Sequence, residues 1–150
     1  PLILDYPDCL NLSHALSRSM TLFVMCHEIA HCQLDHLHKT QSRELELQAD
    51  KLAAEYFVKI VLRDKSQVKN SAFIDPKVAA APILLMRLLE TYEIWQNAKG
   101  IDISLSSSPP KAVERIDTIS PIIQPNLDEK ALHILDGMSK ALEDLNTSFS

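Results

Sequence analysis

The sequence predicts a mainly α fold built on a helix hairpin, with little or no sheet. Only two glycines occur in the 150 residues, so that residue rarely interrupts the chain. Leucine and alanine, both strong helix formers, are abundant. The alternating Val/Ile/Thr runs that mark half-buried strands are nearly absent.

Five helical segments follow. The first is expected from about Ser13 to His38, apolar on most sides through Met20, Leu22, Phe23, Val24, Met25, Ile29 and Leu34, and therefore a buried central helix. Lys39-Thr40-Gln41 turns the chain. Ser42 is placed to cap a second helix reaching about Arg63, with Glu44 and Glu46 near its positive end. Asp75-Pro76 reads as a cap and first-turn proline opening a third helix to about Ala98, with Pro82 as the alternative start and Gly100 as the stop. Pro109-Pro110 opens a short fourth helix through Ile116, after which Pro121 and Pro125 are expected to break structure. Asn126, with Glu129 three residues on, has capping-box form. The last helix then presents Leu132, Leu135, Met138, Leu142 and Leu145 on one packing face.

A chain of this length supports one domain over residues 1–150, and an opening Pro1 with an early motif reads as a fragment of something longer. The formal charge of −5 and a pI near 5.6 argue against a nucleic-acid partner. No membrane contact is evident, because the longest strongly apolar stretch, Val78 to Leu89, is short and contains Pro82 and Arg87. Cys9, Cys26 and Cys32 are odd in number and form no C-x-x-C pair. They point to a reducing, cytoplasmic setting, with Cys26 and Cys32 expected as small buried residues.

The chemistry is concentrated in His27-Glu28-Ile29-Ala30-His31, an H-E-x-x-H pentad within the first helix. Residues i and i+4 share one helical face, so two imidazoles can close on one metal ion, the arrangement zinc hydrolases use. Glu28 lies about 100° round the helix from His27, beside the ion and not on it, where a general base for water belongs. A third ligand is required. The longer H-E-x-x-H-x-x-G-x-x-H form is excluded, because Leu34 and Leu37 stand at its glycine and last histidine. His36 is expected on the opposite face of the helix. His38 would lie on the order of 13 Å along the axis from the His pair, and both are read as solvated helix-end histidines.

Glu46 is the better third ligand. A chain that reverses at Lys39 to Gln41 returns Glu46 to the level of the pentad, and Ala49 and Ala53 keep the facing surface small. Glu44 and Glu55 are rival carboxylates, but neither has Asp50's equivalent one turn on with small residues between. Asp50 is placed to accept the free ring N–H of a ligand histidine and fix its tautomer.

The pair HEIAH and ELQAD, within Thr21 to Phe57, resembles the gluzincin metallopeptidases. The E-x-x-A-D form is most similar to the HtpX and CAAX-prenyl endopeptidase group and its soluble relatives, among them the phage-exclusion peptidase type. A weaker match, Ser108 to Ile116, is similar to an H-P-P…R-I segment of those families, with Ser108 in place of the histidine and Arg115 one residue further on. The resemblance implies a zincin-like helical core and an endopeptidase acting on protein or peptide substrates. Resemblance and spacing together imply Zn²⁺ on His27, His31 and Glu46, with Glu28 as base and acid. Tyr56, Tyr92, Arg115 and His133 are chemically able to stabilise an oxyanion, and Arg115 is alternatively structural. The rival reading is an inactive interaction module in which zinc merely staples the hairpin. An intact Glu28 and an open fourth position argue against it.

Overall fold

The computed structural model describes residues 7–40, 42–67, 78–100 and 110–149. Among them are five α-helices and no strand, as the composition predicts. The helices are α1 (Pro7–Gln33), α2 (Arg43–Gln67), α3 (Ala81–Ala98), α4 (Ala112–Ile123) and α5 (Glu129–Thr147). A 3₁₀ turn, Gln124–Asn126, joins the last two. None is long and apolar enough to cross a membrane.

The hairpin of α1 and α2 is the frame for everything else. On α1 the buried positions are Leu16, Ser19, Phe23, Cys26, His27 and Ala30; on α2 they are Glu46, Ala49, Asp50, Ala53, Ala54, Phe57 and Val61. Both sets recur at spacings of three or four residues, with the adjacent pairs Cys26-His27, Ala49-Asp50 and Ala53-Ala54 widening the stripe, so each is one side of its helix. Where the stripes carry polar groups, their neighbours Ala30, Ala49, Ala53 and Ala54 are fully buried. Their lack of bulk lets the two backbones approach. Further along, Phe23 and Phe57 meet edge to face with ring centroids 6.2 Å apart, a contact that adds about 0.5–1.5 kcal/mol beyond the area it buries.

Helix α3 packs its Ile83, Leu84 and Met86 side into the same core, α4 lies across α2 and α3, and α5 packs on α3. The amino terminus of α4 is tied down twice. Glu93 of α3 accepts the Ala112 backbone N–H at 3.2 Å, and Glu114 accepts that of Lys111 at 3.0 Å while binding Arg43 through both carboxylate oxygens.

Several boundaries differ from expectation, each for an identifiable reason. Ser42 caps α2 as predicted, its Oγ accepting the Leu45 N–H at 3.4 Å, but α2 continues to Gln67. Pro82 lies at the first turn of α3, so the alternative start holds; Asp75-Pro76 lies outside the described residues. Pro121 does not break α4 but sits inside it. A mid-helix proline forfeits one hydrogen bond at a cost of about 3 kcal/mol, and buried Ile116, Ile119 and Ile123 offset it. Asp128, not Asn126, caps α5, accepting the Ala131 N–H at 2.9 Å. On α5 Leu135 is buried, whereas Leu132 and Leu145, expected in the packing face, are exposed.

Two corrections concern α1. It is not buried all round: Val24, Met25 and Ile29 are about half exposed, because α2 and α3 cover only the other side. Cys26 lies on the covered side, where burial pushes its thiol pKa up, and Cys32 falls on the open one. The helix also stops at Gln33, short of His38. Asp35 adopts a left-handed backbone with φ 54°, the His36 N–H bonds the His31 carbonyl at 3.0 Å, and the Asp35 N–H bonds that of Cys32 at 3.2 Å. This pair of bonds is a Schellman stop, with Asp35 at the position usually held by glycine.

Candidate metal centre

The hairpin brings the predicted ligands together. His27, His31 and Glu46 each offer one ligand atom, and these atoms all lie within 4.8 Å of one another, a group able to hold a metal ion. The two imidazoles face each other through their Nε2 atoms, 3.0 Å apart. Glu46 closes the triangle, with Oε2 3.4 Å from His27 Nε2 and Oε1 3.5 Å from His31 Nε2. All three side chains are largely withdrawn from solvent. The cause is local: i, i+4 spacing stacks the imidazoles one turn apart on α1, and Ser42 starts α2 just far enough upstream to set Glu46 opposite them.

The site opens to a cavity of about 280 Å³, lined by those three residues and by Glu28, His36, Leu37, Lys39 and Leu45. Glu28 is exposed on α1 and faces this cavity, next to the imidazoles. Its placement matches the expectation from helical geometry, beside the ligand atoms and outside their triangle.

Behind His27 stands Asp50, fully buried, with Oδ1 2.9 Å from the ring Nδ1. The approach is close but off the direction of a ring N–H, so the nitrogen makes no formed hydrogen bond. Asp50 is gripped in turn by Arg115 of α4, whose Nε and Nη2 donate to the two carboxylate oxygens at 2.6 and 2.7 Å. Burial resists ionisation of Asp50 more strongly than any other single influence. The two hydrogen bonds and the charge of Arg115, with His27 close by, outweigh it and hold the carboxyl below the usual carboxylate range. Arg115 answers in kind: burial opposes its charge, and the Asp50 contacts raise its pKa nonetheless.

Sequence reasoning missed the group behind His31. His36, expected to be solvated on the far face, is buried, with Nδ1 3.0 Å from His31 Nδ1 and ring centroids 5.2 Å apart. The Schellman stop is the reason, since it folds the chain just past the helix back over the last turn. Burial, with His31 and Lys39 nearby, lowers the His36 pKa. The one available signal was Asp35, a residue type that tolerates left-handed backbone.

The other named residues stand apart from the ligand triangle. Tyr56 donates its hydroxyl to Gln33, Tyr92 stacks on Trp95 with centroids 5.9 Å apart, and His133 and His38 are exposed. Arg115 is committed to Asp50. Ser108 and Pro109 lie outside the described residues.

A family model described as Peptidase U49 matches residues 14–134, from the first third of α1 into α5. No curated protein and no solved structure matches the chain.

Proposed function

The chain belongs to the Peptidase U49 family and is a peptidase; from that premise we propose that it is a zinc-dependent endopeptidase of the gluzincin type, holding the ion on His27, His31 and Glu46. The observation that carries this reading is the convergence of two imidazole nitrogens and a carboxylate beside an exposed glutamate. Two neutral imidazole lone pairs do not face each other at 3.0 Å without a proton or cation between them. Tetrahedral zinc, with bonds of about 2.0–2.1 Å, needs ligand atoms about 3.3 Å apart, and the separations here are 3.0, 3.4 and 3.5 Å. A set of two nitrogens and one carboxylate oxygen suits zinc and not the all-oxygen preference of calcium or magnesium.

When bound, such an ion supplies Lewis acidity toward a peptide carbonyl and acidifies water. The protein's own groups do the rest. A Glu28 carboxylate oxygen takes a proton from the attacking water and delivers it to the nitrogen of the leaving amine. Asp50 holds the His27 ring with its Nε2 lone pair inward, and Arg115 serves as a positioning residue for Asp50. The substrate is a protein or peptide chain entering the cavity between Glu28 and Leu37. Three free cysteines favour a reducing, cytoplasmic setting.

Zinc content by elemental mass spectrometry, together with a peptide-cleavage assay, tests the proposal. Wild type is expected to carry one zinc, Glu46→Ala to lose it, and Glu28→Gln to keep it while losing cleavage by about 10²–10⁴-fold. Undiminished cleavage by Glu28→Gln would remove Glu28 from its role. Zinc without cleavage in wild type would leave only a metal staple on the hairpin.

A further inference from the structure

We propose that His36 is a positioning residue that selects the metal-binding tautomer of His31, through a hydrogen-bond relay in which His31 Nδ1 donates to His36 Nδ1. The inference rests on the ligand set proposed above and adds a residue that helps to hold the ion.

The two rings meet through their Nδ1 atoms, 3.0 Å apart, so one of these must donate and the other accept. His31 Nε2 is the atom set 3.0 Å from His27 Nε2 in the proposed ligand triangle, and it offers a lone pair to an ion only when the ring's single proton is on Nδ1. His31 Nδ1 then donates and His36 Nδ1 accepts, which puts the proton of a neutral His36 on Nε2. The contact is local, because the Schellman stop folds His36 back onto His31.

The experiment measures zinc affinity by competition with a chromogenic chelator, and thermal unfolding of the metal-free chain, for wild type, His36→Phe and His36→Asn. Asparagine Oδ1 takes the place of Nδ1 as an acceptor, whereas phenylalanine fills the space without one. His36→Phe is expected to bind zinc about 10–100-fold more weakly, His36→Asn to recover most of that loss, and both metal-free melting curves to stay within about 4 °C of wild type, the shift that losing one neutral hydrogen bond produces. Equal zinc affinity in His36→Phe and wild type overturns the proposal while leaving the ligand set standing. Equal weakening in both variants also overturns it, since packing alone then explains the effect. Absence of zinc from wild type overturns ligand set and relay together. Long-range ¹H–¹⁵N correlation spectra of the zinc-loaded wild type decide the matter even if a variant fails to fold. A proton on His36 Nε2 supports the relay, and one on Nδ1 overturns it.

Discussion

The two histidines of the pentad are backed by opposite kinds of support. Behind His27 is a charged group, Asp50, fully buried and joined to Arg115 of α4, so that α1, α2 and α4 share one electrostatic tie. Behind His31 is a second imidazole, His36, held by the turn that ends the same helix. The difference separates stability from tuning. Taking a carboxylate and a guanidinium out of water is costly, and the fold recovers that cost only while both remain. A hydrogen bond between two imidazoles is worth about 1 kcal/mol net, so the second arm can change without endangering the first.

Breaking the charged arm is the severest test of this contrast. Arg115→Met leaves Asp50 buried without its counter-charge and is expected to cost about 3–5 kcal/mol in chemical denaturation of the metal-free chain. A loss as small as that expected for the His36 variants would erase the distinction. Next in size is a change that touches both arms equally. Ala53→Leu inserts bulk at a fully buried point between the helices, and overpacking of this kind costs about 1–3 kcal/mol. Zinc affinity is expected to fall with it, because the imidazoles and Glu46 reach each other only at close approach.

Acid sharpens the comparison further. The Asp50 carboxyl is held below its ordinary range in the folded state. Its stabilisation is therefore complete above the unfolded carboxylate pKa of about 3.9 and is lost as pH falls through the folded value. Denaturation midpoints of wild type should drop in that window, and those of an Asp50→Asn variant should drop less. The smallest expected effect is that of Arg43→Ala. Its partner Glu114 joins α2 to α4 beside the charged arm, but the pair is solvent-facing and screened. Zinc titration should not distinguish this variant from wild type; a clear loss would extend the electrostatic tie to the surface.

How much of this was legible in the sequence depended on the range of the interaction. Periodicity and capping residues gave the helices, because they act within a turn or two: Ser42 and Pro82 mark starts the structure confirms. The grouping of His27, His31 and Glu46 was readable as well, since i, i+4 spacing and a short reversal leave little freedom. The grip of Arg115 on Asp50 was not, because the residues are 65 positions apart and only tertiary packing joins them. Pro121 misled for a related reason. Its local penalty is visible in sequence, but the burial of Ile119 and Ile123 that outweighs it is not. His36 was misread because the first helix was extended too far, which rotates that side chain away from His31.

That last error turns on a single torsion. With Asp35 in right-handed backbone the helix would run on, and His36 would trail roughly 140° round the axis from His31, five residues at about 100° each. With Asp35 at φ 54° the ring instead folds back onto it. Left-handed backbone costs about 1–2 kcal/mol for a residue with a side chain. What stands behind the second histidine of the pentad is thus decided four residues downstream, by which basin of the Ramachandran map one aspartate occupies.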